Sequence, residues 1–169
     1  METLKQRSPA RPVITQTENN TTLWIGHLLN DATDHFGGQT FTCPADGQVD
    51  NIQLYAAAIQ YPGEIQLTLH EFDDARKTWA PSLGESSVVV SKEDQNTWIR
   101  FMLPAISLKK DTMYGFRIQT ANAMVGLGEA ACNNQCPFGF GHEWSGDSTN
   151  QQGHYYSYFS LAFKVEMRA

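Results

Sequence analysis

The chain has 169 residues, enough for one well-buried core and too few for two, so a single domain is expected. Hydrophobic residues make up 41% and charged residues 18%, which excludes a solvated disordered chain; no apolar run approaches the roughly 20 residues of a membrane-spanning helix, so no membrane insertion is expected. The net charge of −6 comes with Lys and Arg scattered thinly from Lys5 to Arg168, which leaves no basic stripe to track phosphates, and no nucleic-acid partner is expected.

Met1 to Asn20 is polar, carries Pro9 and Pro12, and has no apolar run behind Lys5 and Arg7. It is read as a flexible amino-terminal segment, residues 1–20, without a secretory leader, ahead of one domain spanning 21–169. Leu23 to Leu28 and Gln39 to Cys43 are weak strand candidates, and Pro44-Ala45-Asp46-Gly47 is a turn. Ile52 and Leu54 then alternate with Gln53 and Tyr55, the period of two that places side chains on opposite faces of a strand. Ala56-Ala57-Ala58 could form a single helical turn. After the Tyr61-Pro62-Gly63 turn, Ile65, Leu67 and Leu69 alternate with Gln66, Thr68 and His70. Ser87 to Val90 is a third weak strand. Strong alternation returns at Ile99, Phe101 and Leu103, and again at Tyr114, Phe116 and Ile118.

Gly126 to Tyr155 breaks the rhythm. This stretch is rich in Gly, Asn, Gln and Ser, holds Phe138, Phe140 and Trp144, and reads as one long loop, a common home for a site. Phe159, Leu161, Phe163 and Val165 close the pattern. About eight strands, each apolar on one face, need a second sheet to cover that face. The expected fold is therefore all-β: a two-sheet antiparallel β-sandwich, jelly-roll-like, with almost no helix.

Three cysteines cannot all pair within one chain. Cys132 and Cys136 are close enough to bridge across a turn in an oxidising compartment and equally could stay reduced, with Cys43 a buried thiol.

Gly38-Gln39-Thr40-Phe41-Thr42-Cys43-Pro44-Ala45-Asp46-Gly47, followed by Gln48 to Ile52, resembles the opening of bacterial choice-of-anchor-type and carbohydrate-binding-like β-sandwich accessory modules. Trp98 to Phe101, the Leu108 to Tyr114 turn and the strand to Arg117 resemble the middle of such a module, with Asp111 where Gly is usual; Phe159 to Val165 resembles its closing strand. The resemblance implies a non-enzymatic module on secreted or cell-surface proteins, with a polysaccharide or glycan as partner.

A sugar site needs aromatic platforms and hydrogen-bonding side chains. The candidates are Trp144, between glycines in Gly141 to Gly146, with His142, Tyr155, Tyr61 and Trp79; Tyr156 would point away from Tyr155. Trp144 could equally pack over the core and close the loop. No cofactor is expected. Structural calcium ranks first among metals, with Asp31 and Asp34 as weak ligand candidates beside the reading of both as ordinary turn residues; zinc at Cys132 and Cys136 and a transition metal at His142 and His154 rank below it.

The first functional reading is a carbohydrate-binding or adhesive module with its ligand near residues 126–155. The second is a structural or assembly module of a surface or tail-fibre-like complex, using a sheet face around Tyr55 and Arg117. A polysaccharide hydrolase or lyase ranks third. It would use Glu143 or Glu71 with Asp73, although no spacing sets two carboxylates across a cleft.

Overall fold

A computed structural model describes residues 8–27, 33–132 and 139–169. Among these residues the chain is almost entirely strand, with one 3-10 turn at Lys92–Asp94 and no α-helix. In chain order the strands are β1 Arg11–Gln16, β2 Thr21–His27, β3 Asp34–Thr42, β4 Gly47–Tyr61, β5 Gly63–Asp73, β6 Thr78–Val90 and β7 Thr97–Leu108. They continue as β8 Met113–Thr120, β9 Met124–Ala131, β10 Glu143–Asp147, β11 Asn150–Tyr156, β12 Phe159–Leu161 and β13 Phe163–Arg168.

The all-β class and antiparallel pairing hold, but the architecture corrects the expected two-sheet, eight-stranded sandwich. Thirteen strands belong to one hydrogen-bonded sheet that curls into a half-barrel. The main path runs β1-β13-β4-β9-β2-β3-β8-β5-β6, with β7 on β4, β12 on β9, and β10 on β3 carrying β11. β4 holds the structure together. Its 15 residues pair with β7 along one edge and, on the other, with β13 and then β9 in succession. Curling the sheet buries the same row of aliphatic side chains that a second sheet would have covered. The free edges β6 and β7 meet without a ladder, Gly84 lying directly against Pro104 and Ile106.

The enclosed core contains Phe41, Ile52, Leu54, Leu67, Phe116 and Phe163, all withdrawn from water. Each large apolar side chain buried there favours folding by roughly 1.5–3 kcal/mol. Each of the eight strands read from the sequence overlaps an observed one, with Cys43 falling just past β3 and Leu28 lying outside the described residues. Five further strands were not separated out. β1 lies within the segment expected to be flexible and pairs with β13. β9, β10 and β11 occupy most of the expected 126–155 loop, and the final alternating run is two strands, β12 and β13, meeting at Ala162. The alanine runs at 56–58 and 130–131 are strand.

β3, β8 and β5 form the floor of the site. In β8, Tyr114, Phe116 and Ile118 enter the core, so Gly115, Arg117 and Gln119 point to the opposite face. The register sets Gly115 between Thr40 and His70, and Arg117 between Gly38 and Thr68. β10 extends this floor, placing Trp144 opposite Gly38.

Candidate functional site

Two glycines in the floor receive two indoles. A Cβ on Gly115 would sit 2.6 Å from Cζ3 of Trp79, and one on Gly38 would sit 3.3 Å from Cε3 of Trp144. The indoles therefore lie close over bare backbone. Their ring centroids are 5.6 Å apart, tilted at 66°. Trp79 Nε1 donates to Tyr155 Oη at 2.9 Å, and Trp144 Nε1 donates to Gln152 O at 2.9 Å, so both rings are pinned at their polar ends. Phe72 packs edge-on against Trp79 and at a tilt against Tyr155.

Arg117 rises from the floor into this cluster. Its guanidinium carbon is 4.5 Å from the Trp144 ring centroid and 5.0 Å from that of Trp79, an attraction between cation and ring quadrupole. Beside it, His70 places Nδ1 2.8 Å from Ala80 O; a carbonyl only accepts, so Nδ1 carries the proton. Nε2 is 2.8 Å from Thr68 Oγ1 and accepts from that hydroxyl in the neutral ring. Burial pushes the His70 pKa down, only partly opposed by the Ala80 bond, and the Arg117 charge pushes it further down. Burial also lowers the Arg117 pKa and raises that of Tyr155.

A cleft of about 340 Å³ opens above this floor, lined by Phe36, Thr68, His70, Arg117, Gln119 and Gln151, with the margin of Trp144. Phe36 and Gln119 also line an adjoining hollow of about 530 Å³ that contains Asp34, Glu64, Gln66 and Asn122. Gln119 Nε2 donates to Gln66 Oε1 at 2.8 Å, and Gln66 Nε2 donates to Glu85 Oε2 at 3.0 Å, forming an amide ladder across the face. The groove is thus cationic at one end and acidic at the other.

The structure gathers some of the sequence candidates here and scatters others. Trp144, Trp79 and Tyr155 belong to one cluster. Trp144 is only 1% exposed, so it is a packed wall and not an open platform. His142 lies beside the cluster with Nε2 3.7 Å from Asp74, which also pairs with Lys77. Burial, with Lys77 nearby, lowers the His142 pKa against the pull of Asp74. Tyr61 ends β4 opposite Met124 and does not line the cleft. Tyr156 packs on Phe159, away from Trp79.

Asp34 faces His27, Oδ1 lying 3.0 Å from Nδ1, while Asp31 lies outside the described residues. No group of three or more His, Cys, Asp or Glu that could hold a metal occurs among the described residues. Cys43 is buried near Met167, its thiol pKa raised by burial; Cys132 follows β9, and Cys136 lies outside the described residues. Tyr55 packs on Trp98, whereas Arg117 packs on Trp79 and Trp144.

Glu143 does not face the cleft. It is 1% exposed, hydrogen-bonded to the buried Glu129, and its Oε1 has no partner. Burial first, then Glu129, raise its pKa to about 10, so the pair carries a shared proton at neutral pH.

Sequence reasoning named Arg117 only for an assembly face and missed His70, Thr68 and Gln119, because these residues alternate with core residues and read as an ordinary solvated face. The signal available was Gly115 beside Arg117, a glycine inside a strand marking a close approach. No protein-family model matches the chain, and no curated protein matches it.

Proposed function

We propose that this domain is a non-catalytic binding module whose ligand, a glycan or similar hydroxyl-rich chain, lies in the groove over β3, β8 and β5. The observation that carries this reading is the lining: amides, a hydroxyl, an imidazole and a guanidinium converge on one open cleft backed by fixed aromatic rings. Such groups match a saccharide, whose hydroxyls both donate and accept while its CH-rich faces rest against aromatic surface. The resemblance to bacterial accessory modules supports it. A site over the β3-β8-β5 floor differs from the expected loop site, although β10 and β11 of that stretch supply one wall.

The test is a glycan array followed by titration of tryptophan fluorescence, since Trp79 and Trp144 flank Arg117. Phe36→Ala, which removes the ring shared by both hollows, is expected to weaken binding about tenfold, equivalent to roughly 1.4 kcal/mol. Absence of binding to every saccharide on the array, or an unaffected Phe36→Ala, overturns the reading.

A second reading, assembly, is favoured by exposed apolar side chains on the edge strands β6 and β7: Val89 is 73% exposed and Met102 54%. Light scattering decides it. A mass that stays at one chain at all concentrations counts against assembly by this chain on itself.

A further inference from the structure

We propose that the groove is selective for an acidic saccharide, one bearing a carboxylate or sulfate, and that Arg117 seats its anionic group. This rests on the groove being the binding site. It starts from an imbalance around one side chain. Among the described residues, no carboxylate comes within 4 Å of the Arg117 guanidinium, and none of its N–H groups is hydrogen-bonded to protein. Its cross-strand neighbours are Gly38 and Thr68, which bring no counter-charge. Two nearby acids are engaged elsewhere: Asp74 with Lys77 and His142, Glu85 with the Gln66 amide.

The unpaired donors open to the cleft. The one buried side-chain polar atom without a partner among the described residues is Glu143 Oε1, so no Arg117 nitrogen is both sealed and unsatisfied. The guanidinium is also held in place before any ligand arrives. Two indoles flank it, each fixed by its own hydrogen bond, so little side-chain freedom remains to be lost on binding. A planar fork with its donors free matches the two oxygens of a carboxylate or sulfate.

Charge gives the groove a direction. Asp34 and Glu64 stand in the adjoining hollow and repel an anion there, so the acidic group takes the Arg117 end while neutral hydroxyls lie along Gln119, Gln66 and Asn122. The whole chain carries −6, so general attraction for polyanions is weak and selectivity must come from this local cation.

The test uses matched probes that differ only in charge: hexameric oligogalacturonate against its methyl ester, and dextran sulfate against dextran. The expected result is binding of at least one acidic member over its neutral partner by about tenfold or more, weakening between 50 and 300 mM salt as about one ion pair is screened. Arg117→Met should abolish the preference, Arg117→Lys should retain part of it, and Arg100→Gln, on another face, should leave it unchanged. Melting curves of each variant show that it is folded, and the wild-type salt dependence needs no variant. Equal binding of charged and neutral members overturns the acidic selectivity and leaves the groove reading intact. Binding to neutral glycans alone on the array does the same. Loss of all binding, charged and neutral, overturns both.

Discussion

Glu143 and Trp144 are consecutive residues of β10, yet they belong to opposite sides of the sheet and to two solutions of one problem. Inside, Glu143 meets Glu129, and the pair resolves the conflict by retaining a proton. Outside, Trp144 covers Arg117, which cannot discharge itself in any ordinary pH range and so keeps one side open to the cleft. A carboxyl can be sealed because protonation neutralises it. A guanidinium must be left with water or a ligand. The sealed pair is therefore a matter of stability, and the half-covered cation a matter of binding.

Three substitutions sharpen this contrast, from the largest effect to the smallest. Trp144→Ala removes an almost fully buried ring that walls the cleft and covers Gly38. A loss of about 3–5 kcal/mol is expected in urea denaturation, too much for an exposed platform. A loss under about 1 kcal/mol would show that the ring is not packed as described.

Glu143→Gln should act in the opposite direction, and through pH. The folded-state pKa of about 10 lies above the ordinary 4.5, so the folded protein holds an extra proton between these values. Stability is then greatest below pH 4.5 and falls as pH rises toward 10. By pH 7 the decline is on the order of 3 kcal/mol. Gln supplies the donor without ionising, so the variant should match wild type near pH 4, exceed it at pH 8, and show a flatter profile. Parallel profiles in chemical denaturation would refute the shared proton.

Gly115→Ala tests the glycine floor. The new methyl would meet Trp79 at 2.6 Å and Gln39 O at 3.1 Å, forcing the indole away from its place. A loss of about 1–3 kcal/mol is expected, with altered tryptophan fluorescence. An unchanged spectrum and melting temperature would mean that the rings do not rest on the floor.

The sequence made the half-buried strands visible because one face meets core and the other meets water, as at Ile65, Leu67 and Leu69. β9 escaped that reading. Met124 through Ala130 are all buried, Glu129 included, so polarity does not mark an outer face, and Gly126 and Gly128 look like loop. β10 and β11 were hidden for a related reason: their Gly, Asn and Gln content resembles a loop, and only the pairing of β10 with β3 and of β11 with β10 makes them strand. The aromatic candidates Trp79, Trp144 and Tyr155 were legible by residue type. Their mutual contact was not, since it depends on β6, β10 and β11 converging over β8. Arg117 was invisible as a ligand group, because its meaning lies in the carboxylate that does not pair with it.

The position of β13 bears on how the chain reaches this state. It lies between β1 and β4, so strands from the two ends of the described chain must find each other before β4 has both neighbours on that edge. β1 and the 48–54 stretch of β4 cannot complete their ladders until β13 is in place. Pairing across such sequence distances places the search in the range of milliseconds to seconds. Until it ends, the unpaired edge of β4 is the part of the nascent domain most open to mispairing, and most in need of protection by whatever assists its folding.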